Sequence, residues 1–341
     1  MSISFIRTSV LSTSIAAALT LAGPVQAAEY EWTFQTSSQA GDNFFPLQQE
    51  WARGVEECSD GQVTIQVLPT GSVVQYNETL DAVSAGILTG HITDPSYFAG
   101  KDPAFALIGN MVGAWSDPDE MRKFLAEGSG YEIYRDLLEQ YNLYLIDATS
   151  TGVEAFVSKV PIRGVDDLKG VKMRAPEGLV NDVFGAAGAT PVNLPGSEVY
   201  TALQQGVIDA ADYTVFSTNH SLGFHEFARY PLYPGFHSMP MMEIAINNDV
   251  WESLPDDLKK CVTDETERFR TDIVNQLDAL DKEAAEQAKA DGVEVIDWSD
   301  EERKKFREIA QQQWASWAER SPVAEQWYQA ATAWLKEQGK L

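Results

Sequence analysis

Between residues 255 and about 291 the chain carries Leu258, Val262, Phe269, Ile273, Leu277 and Leu280 at spacings of three, four or their multiples, with charged residues in between. The spacing predicts one amphipathic helix with a single apolar face. A helix of about 35 residues is about 50 Å long, more than the width of one small lobe. It therefore needs two bodies to lie against, and is expected to cross both and tie them together. A length of 341 residues suits two such bodies at roughly 100 to 200 residues per domain.

The segments upstream supply two bodies of one kind. Residues 30–37 read as a strand, 45–58 as a helix carrying Leu47, Trp51 and Val55, and 63–68 as a strand in which Val63, Ile65 and Val67 alternate with polar neighbours. A helix at 77–86 and a short buried strand at 91–94 follow. The order β-α-β-α-β predicts a small α/β layer with a largely parallel sheet. A helical stretch at about 118–142 leads into an apolar strand at 143–148. The alternation then repeats, with strands at 171–175, 190–194 and 208–214 around helices at 179–187 and 197–205, which Gly188 and Gly206 terminate. A strand at 293–296 and helices rich in Trp314, Trp317, Trp327 and Trp334 finish the chain. The expected division is 28–148 with part of 214–250 as the first lobe, and 149–213 with part of 240–255 as the second. The spanning helix takes 255–291 and C-terminal helices take 292–341.

Residues 1–27 stand apart. Arg7 precedes an apolar run, and Val25-Gln26-Ala27 ends it in small residues, the pattern of a secretory signal peptide cleaved after about Ala27. The run is short for a membrane span, and no later window holds about 18 uninterrupted apolar residues. The expected address is the periplasm, without membrane insertion. The formal charge of −26, from 25 basic and 51 acidic residues, argues against nucleic acid as a partner, because phosphate binding requires basic patches. A single buried arginine can still reverse the field inside a pocket. Cys58 and Cys261 are the two cysteines. In an oxidising compartment they either bridge, closing a loop long enough to stabilise by about 5 kcal/mol on the chain-entropy model, or pack separately as small apolar residues.

Signatures of catalysis are largely absent from the sequence. His225-Glu226 begins like a zinc-protease helix, but Arg229 stands where the second histidine would be needed. No serine has glycines two residues away on both sides, so a nucleophile elbow is missing. Arg174 is more informative. It ends the strand Val171-Lys172-Met173-Arg174, and ligands of open α/β sheets bind beyond the carboxyl ends of strands. A guanidinium there offers a two-pronged donor to a carboxylate; a surface salt bridge is the alternative. Asp212 and Tyr213 end a later strand, where the acid would hold a cation or a ligand hydroxyl, or form a turn. Asn219 would donate to an anion or cap a helix.

Lys172-Met173-Arg174-Ala175-Pro176, Gly188-Ala189-Thr190-Pro191-Val192, Glu198-Val199-Tyr200-Thr201-Ala202-Leu203-Gln204-Gln205-Gly206, Asp209-Ala210-Ala211-Asp212 and Leu222-Gly223-Phe224-His225-Glu226 form an ordered series. It resembles the DctP-type solute-binding proteins of tripartite ATP-independent periplasmic (TRAP) transporters. The likeness extends to Asp94-Pro95-Ser96-Tyr97-Phe98-Ala99-Gly100, and is greatest to the branch that binds 2-oxo or 2-hydroxy acids. It implies an α/β, two-lobed periplasmic binding protein fold with an interlobe ligand cleft, no enzymatic activity, a small organic anion as ligand and the transporter's membrane subunits as partners. Arg174 matches the arginine that receives the ligand carboxylate. Tyr97 and Phe44 are expected from the facing lobe, and Glu154, Phe156, Tyr213 and Asn219 complete the ligand-binding set. Asp212 and Tyr213 match the acid and aromatic that hold a cation in several relatives, where Glu and Trp occur. With Glu154 and Ser238 they make a candidate site for Na+ or Ca2+ bridging the ligand. The competing class, an exported enzyme with Asp212 as base, predicts turnover.

Overall fold

The computed structural model describes residues 28–341; the leader expected at 1–27 and its cleavage point lie outside them. Among the described residues nine strands are present: β1 (Tyr30–Thr36), β2 (Val63–Leu68), β3 (Gly90–Thr93), β4 (Leu143–Ser150), β5 (Val157–Ser158), β6 (Lys172–Arg174), β7 (Thr190–Val192), β8 (Ala210–Ala211) and β9 (Met241–Asn247). They form a five-stranded sheet of order β2-β1-β3-β9-β4 and a four-stranded sheet of order β5-β8-β6-β7. Each sheet, covered by its helices, is one lobe.

The first sheet is parallel in one half only, contrary to expectation. Strand β1 runs parallel to β2 and β3, whereas β9 pairs antiparallel with β3 and β4. The sequence gives no period-two signal for β9 because all seven of its residues are buried, as happens when both faces of a strand are covered. Its buried Glu243 accepts from the Tyr134 hydroxyl through Oε2, and His91 Nε2 lies 3.1 Å from Oε1. Since β9 sits in this sheet and the helix Asn248–Ser253 packs Trp251 into the same core, 240–255 belongs with the first lobe, not partly with the second.

The long helix runs Asp256–Ala290. Leu258, Val262, Phe269, Ile273 and Leu277 pack with Trp51, Val55 and Ile244 of the first lobe. Further along, Ala285 and Ala288 meet Ala155 and Phe216, so the helix spans both lobes. Leu280 is 39% exposed, off the stripe where it was expected. The buried position next to Leu277 belongs instead to Asp281, whose Oδ1 accepts from the Ser217 backbone N–H at 2.7 Å. Cys58 and Cys261 are bridged, joining the end of the helix Phe44–Cys58 to the first turns of the long helix. The stretch 118–142 is two helices, Pro118–Glu127 and Gly130–Glu139, parted at Gly128 and at Ser129, which is left-handed at φ 68°. The strand expected at 293–296 is one bridge between Leu232 and Ile296.

The helix Asp300–Ala318 also reaches both lobes through its tryptophans. Trp314 Nε1 donates to Val112 O at 3.0 Å and Trp317 Nε1 donates to Asp182 Oδ2 at 2.8 Å. The chain crosses between the lobes twice, at 151–156 and at 235–240, and the second-lobe segment 212–215 runs beside these crossings. These lie close: Glu154 N donates to Ser238 O at 2.8 Å and Ala155 N donates to Thr214 O at 3.0 Å. A Cβ at Gly235 would lie 2.1 Å from Glu154 O, so only glycine lets these crossings approach so nearly.

Candidate functional site

Between the lobes lies a cavity of about 180 Å³. The first lobe lines it with Ser38, Gln39, Asp42, Phe44, Tyr76, Asp94 and Tyr97, the second with Arg174, Pro195, Gly196, Ser197, Tyr213 and Thr214, and the first crossing with Thr151 and Glu154. Arg174 arrives at the end of β6 because β6 pairs with β7 and β8 at its last residue, aligning it with Val192 and Ala211. It is 4% exposed. Its Nη1 donates to Asp212 O at 2.6 Å and its Nε donates to Leu194 O at 3.2 Å. These two carbonyls fix the guanidinium without neutralising it. No carboxylate among the described residues pairs with it, and Nη2 has no hydrogen-bond partner among them.

Tyr213 shapes the same wall. The Arg174 guanidinium carbon lies 5.7 Å from the centroid of its ring, a cation–π arrangement. The Tyr213 hydroxyl accepts from Gln39 Nε2 at 2.6 Å, so a first-lobe side chain closes on a second-lobe one across the cleft. Opposite stand Tyr76 and Tyr97, packed edge to face with ring centroids 4.8 Å apart. Burial pushes the Tyr97 hydroxyl above the usual phenol range, with the nearby Arg174 opposing. These groups thus stay neutral hydrogen-bond donors at pH 7.

Beneath the cavity, Glu154 and Asp212 come together with His237, each offering a ligand atom within 4.8 Å of the others. Asp212 Oδ1 is 2.6 Å from His237 Nε2. The other ring nitrogen, Nδ1, is buried without a partner, among Phe156, Phe184 and Phe236. That assigns the ring proton to Nε2, donating to Asp212. Glu154 Oε2 accepts from Ser238 Oγ at 2.5 Å, and Ser238 Oγ in turn accepts from Asn110 Nδ2 at 2.6 Å. Burial, with the Asp212 charge adding to it, raises the Glu154 carboxyl well above the ordinary range. Two buried carboxylates side by side require either a proton or a cation between them. The oxygens left over, Glu154 Oε1 and Asp212 Oδ2, are hard donors of the type Na+ and Ca2+ take, so Glu154 and Asp212 fit such an ion. It would supply positive charge beside an incoming carboxylate. The Ser238 hydroxyl donates to Glu154 and the Tyr213 hydroxyl accepts from Gln39, so each of these expected metal ligands is tied to a protein partner.

Of the ligand-binding residues expected from sequence, Arg174, Tyr97, Glu154, Tyr213 and Phe44 meet at the cavity. Two do not. Asn219 is fully buried, and its Nδ2 donates to Ala155 O at 2.6 Å and Thr214 O at 2.9 Å, pinning the first crossing to the segment 212–215. Phe156 packs into the second lobe against Phe184 and Trp298. Among the residues not anticipated are Gln39, Asp42, Tyr76 and Asp94 in the lining and His237 beneath it. Tyr76 had a signal, an aromatic in the polar turn before the helix at 77–86; Gln39 and Asp42 lie in a loop with nothing to mark them.

Burial raises both Asp42 and Asp94 to about 7, opposed by backbone donors at Gln39 and Ser96 respectively. A carboxyl raised in the folded state holds its proton there while the unfolded chain has lost it. Stability therefore falls as pH rises from about 4 to about 7, then levels off. The expected result is that Asp94→Asn, which preserves the cap on Ser96 N, flattens the melting temperature of the ligand-free protein between pH 5 and pH 8 relative to wild type. An unaltered slope would mean Asp94 ionises normally.

A family model for bacterial extracellular solute-binding proteins, family 7 (DctP), matches residues 35–321. The chain belongs to the DctP family. This DctP protein is 30% identical over 272 residues to a monocarboxylate 2-oxoacid-binding periplasmic protein of a Nostoc species, covering 79% of this chain and 74% of the relative. It shares 49% identity with a TRAP periplasmic solute-binding protein of Rhodobacter sphaeroides solved in an apo open state, at TM-score 0.75, covering 91% and 99% of the two chains. A Colwellia psychrerythraea TRAP solute-binding protein with bound calcium and pyruvate gives TM-score 0.80 at 23% identity, covering 90% and 94%. DctP proteins are extracytoplasmic binding proteins, not enzymes. Among the described residues no helix is long and apolar enough to cross a membrane.

Proposed function

We propose that this DctP protein captures a small 2-oxo or 2-hydroxy monocarboxylate by lobe closure and delivers it to the membrane subunits of a TRAP transporter. The reading places it in the periplasm after removal of a leader ending at about Ala27. The observation that carries it is the buried Arg174, held by two carbonyls and left without an anion of its own. A carboxylate supplies that anion from Nη2 outward. Closure follows only if the ligand also touches the first lobe, because a ligand bound equally by both states shifts nothing; Tyr76 and Tyr97 provide the hydroxyls for that. The Gln39–Tyr213 contact across the cleft suits a closed form. So does the lower TM-score against the open relative than against the pyruvate-bound one, despite its higher identity.

The test is calorimetry on protein lacking residues 1–27, with pyruvate, lactate, malonate and ectoine. Pyruvate and lactate are expected to bind and emerge chemically unchanged. Consumption of either would favour an enzyme, and silence with every carboxylate would overturn the reading. Repetition with chelator in sodium-free buffer decides how the Glu154–Asp212 pair is neutralised: lost affinity marks a cation, and retained affinity marks a proton.

A further inference from the structure

A second cavity, of about 390 Å³, lies behind the crossings and away from the cleft. Val153, Gly235 and Phe236 from the crossings form its floor, Trp115 and Ser116 one side, and the helix Asp300–Ala318 the other. That helix presents Arg303, Lys304 and Arg307 to it, positions that share a face at spacings of three and four. In a chain with 51 acidic and 25 basic residues, three cations around one hollow are unusual. The acids nearby account fully for Arg303 alone. Arg303 pairs with Asp297, and Lys304 reaches Glu308 only at 4.0 Å. Asp300 lines the cavity without pairing to any of the three.

Arg307 is the sharper anomaly. Among the described residues it alone of the arginines makes neither a hydrogen bond nor an ion pair, and its Nε is buried without a partner. Buried donors are nearly always satisfied, so an orphan of this kind points to a missing acceptor. An arginine fork beside a lysine point charge suits an oxyanion, with several acceptor oxygens on one centre. We propose that this cavity is a second anion site, in which Arg307 and Lys304 bind a phosphate or carboxylate group, with Arg303 and Ser116 at its border. The apolar walls, Trp115 and Phe236, leave room for an organic body behind the charged head.

The experiment titrates inorganic phosphate and phenyl phosphate into the mature protein at constant ionic strength, followed by calorimetry and by thermal melting. Three variants are compared: Arg174→Met, which removes the anion partner in the cleft, Lys304→Gln, at a side chain that is 78% exposed, and the double variant Lys304→Gln/Arg307→Met. Binding is expected in wild type and Arg174→Met alike, several-fold weaker in Lys304→Gln, and at least tenfold weaker in the double variant. Tighter binding of phenyl phosphate identifies an organic acid as the occupant; equal binding identifies a free inorganic oxyanion. Affinity that is lost in Arg174→Met, is unchanged in both Lys304 variants, or is absent from wild type overturns the proposal. If the double variant melts early, Lys304→Gln alone decides.

Discussion

Arg174→Met is expected to lower carboxylate affinity by about 10²- to 10⁴-fold while the protein still folds. Removing one partner of a buried ion pair costs about 3–5 kcal/mol, and each 1.4 kcal/mol is a factor of ten in affinity. The loss exceeds that of one hydrogen bond because Arg174 is the one arginine or lysine that lines this cavity among the described residues. The cost to folding is smaller. Asp212 O and Leu194 O lose their donor, about 1–2 kcal/mol in all where water reaches the vacated space. Arg174→Lys should fall between, keeping the charge but losing the fork that serves two carbonyls and the ligand together. Calorimetry with pyruvate checks the affinities and thermal melting checks the fold. Affinity within a few-fold of wild type in Arg174→Met would remove the ligand from this wall.

What the sequence made legible of this site was the residue with no sequence-local reason to be where it is. Arg174 ends a strand among Met173, Ala175 and Pro176, and a charge in such company has to meet something. Asp212 was visible for the same reason. Its partner was not, because His237 lies 25 positions on and reaches it only when the chain's return crossing folds beside Asp212. Asn219 shows the opposite error. An amide in a motif is chemically fit to bind an anion, but here its donors are consumed by Ala155 O and Thr214 O. Polar residues at a hinge are needed to satisfy backbone that leaves its sheet, and motif position alone does not separate that need from ligand binding.

The fold was legible wherever one face of an element is wet. The long helix and β2 announce themselves by period, and their bounds are close to those expected. Strand β9 is the converse, buried on both faces and interrupted by Glu243, so its sequence carries neither alternation nor an unbroken apolar run. Its antiparallel insertion between β3 and β4 returns the chain to the first lobe after the second is built. That return creates the second crossing, and with it His237, Ser238 and the floor of the cleft. The element hardest to read thus positions the side chains that hold both carboxylates of the candidate cation site.

The double variant Cys58→Ser/Cys261→Ser is expected to lower the melting temperature by about 5–10 °C. A bridge across 203 positions removes about 5 kcal/mol of chain entropy from the unfolded state on the loop-closure model, and native disulfides measure about 2–5 kcal/mol. At roughly 2–4 °C per kcal/mol for chains of about 150–250 residues, and toward the lower figure for a longer one, the shift is large enough to read directly. The folded state changes little, because the two helices that the bridge joins are already packed through Val55, Leu258 and Val262. Those contacts, the bridge included, lie in the first lobe, remote from the crossings about which the lobes would turn. Carboxylate affinity should therefore be the same in the double variant as in wild type, a combination that separates loss of unfolded-state constraint from damage to the site. Reductant should lower the wild-type melting temperature to that of the variant and leave the variant unmoved. A wild-type melt that is indifferent to reductant and equal to the variant's would show that the two thiols stay unbridged in the folded protein.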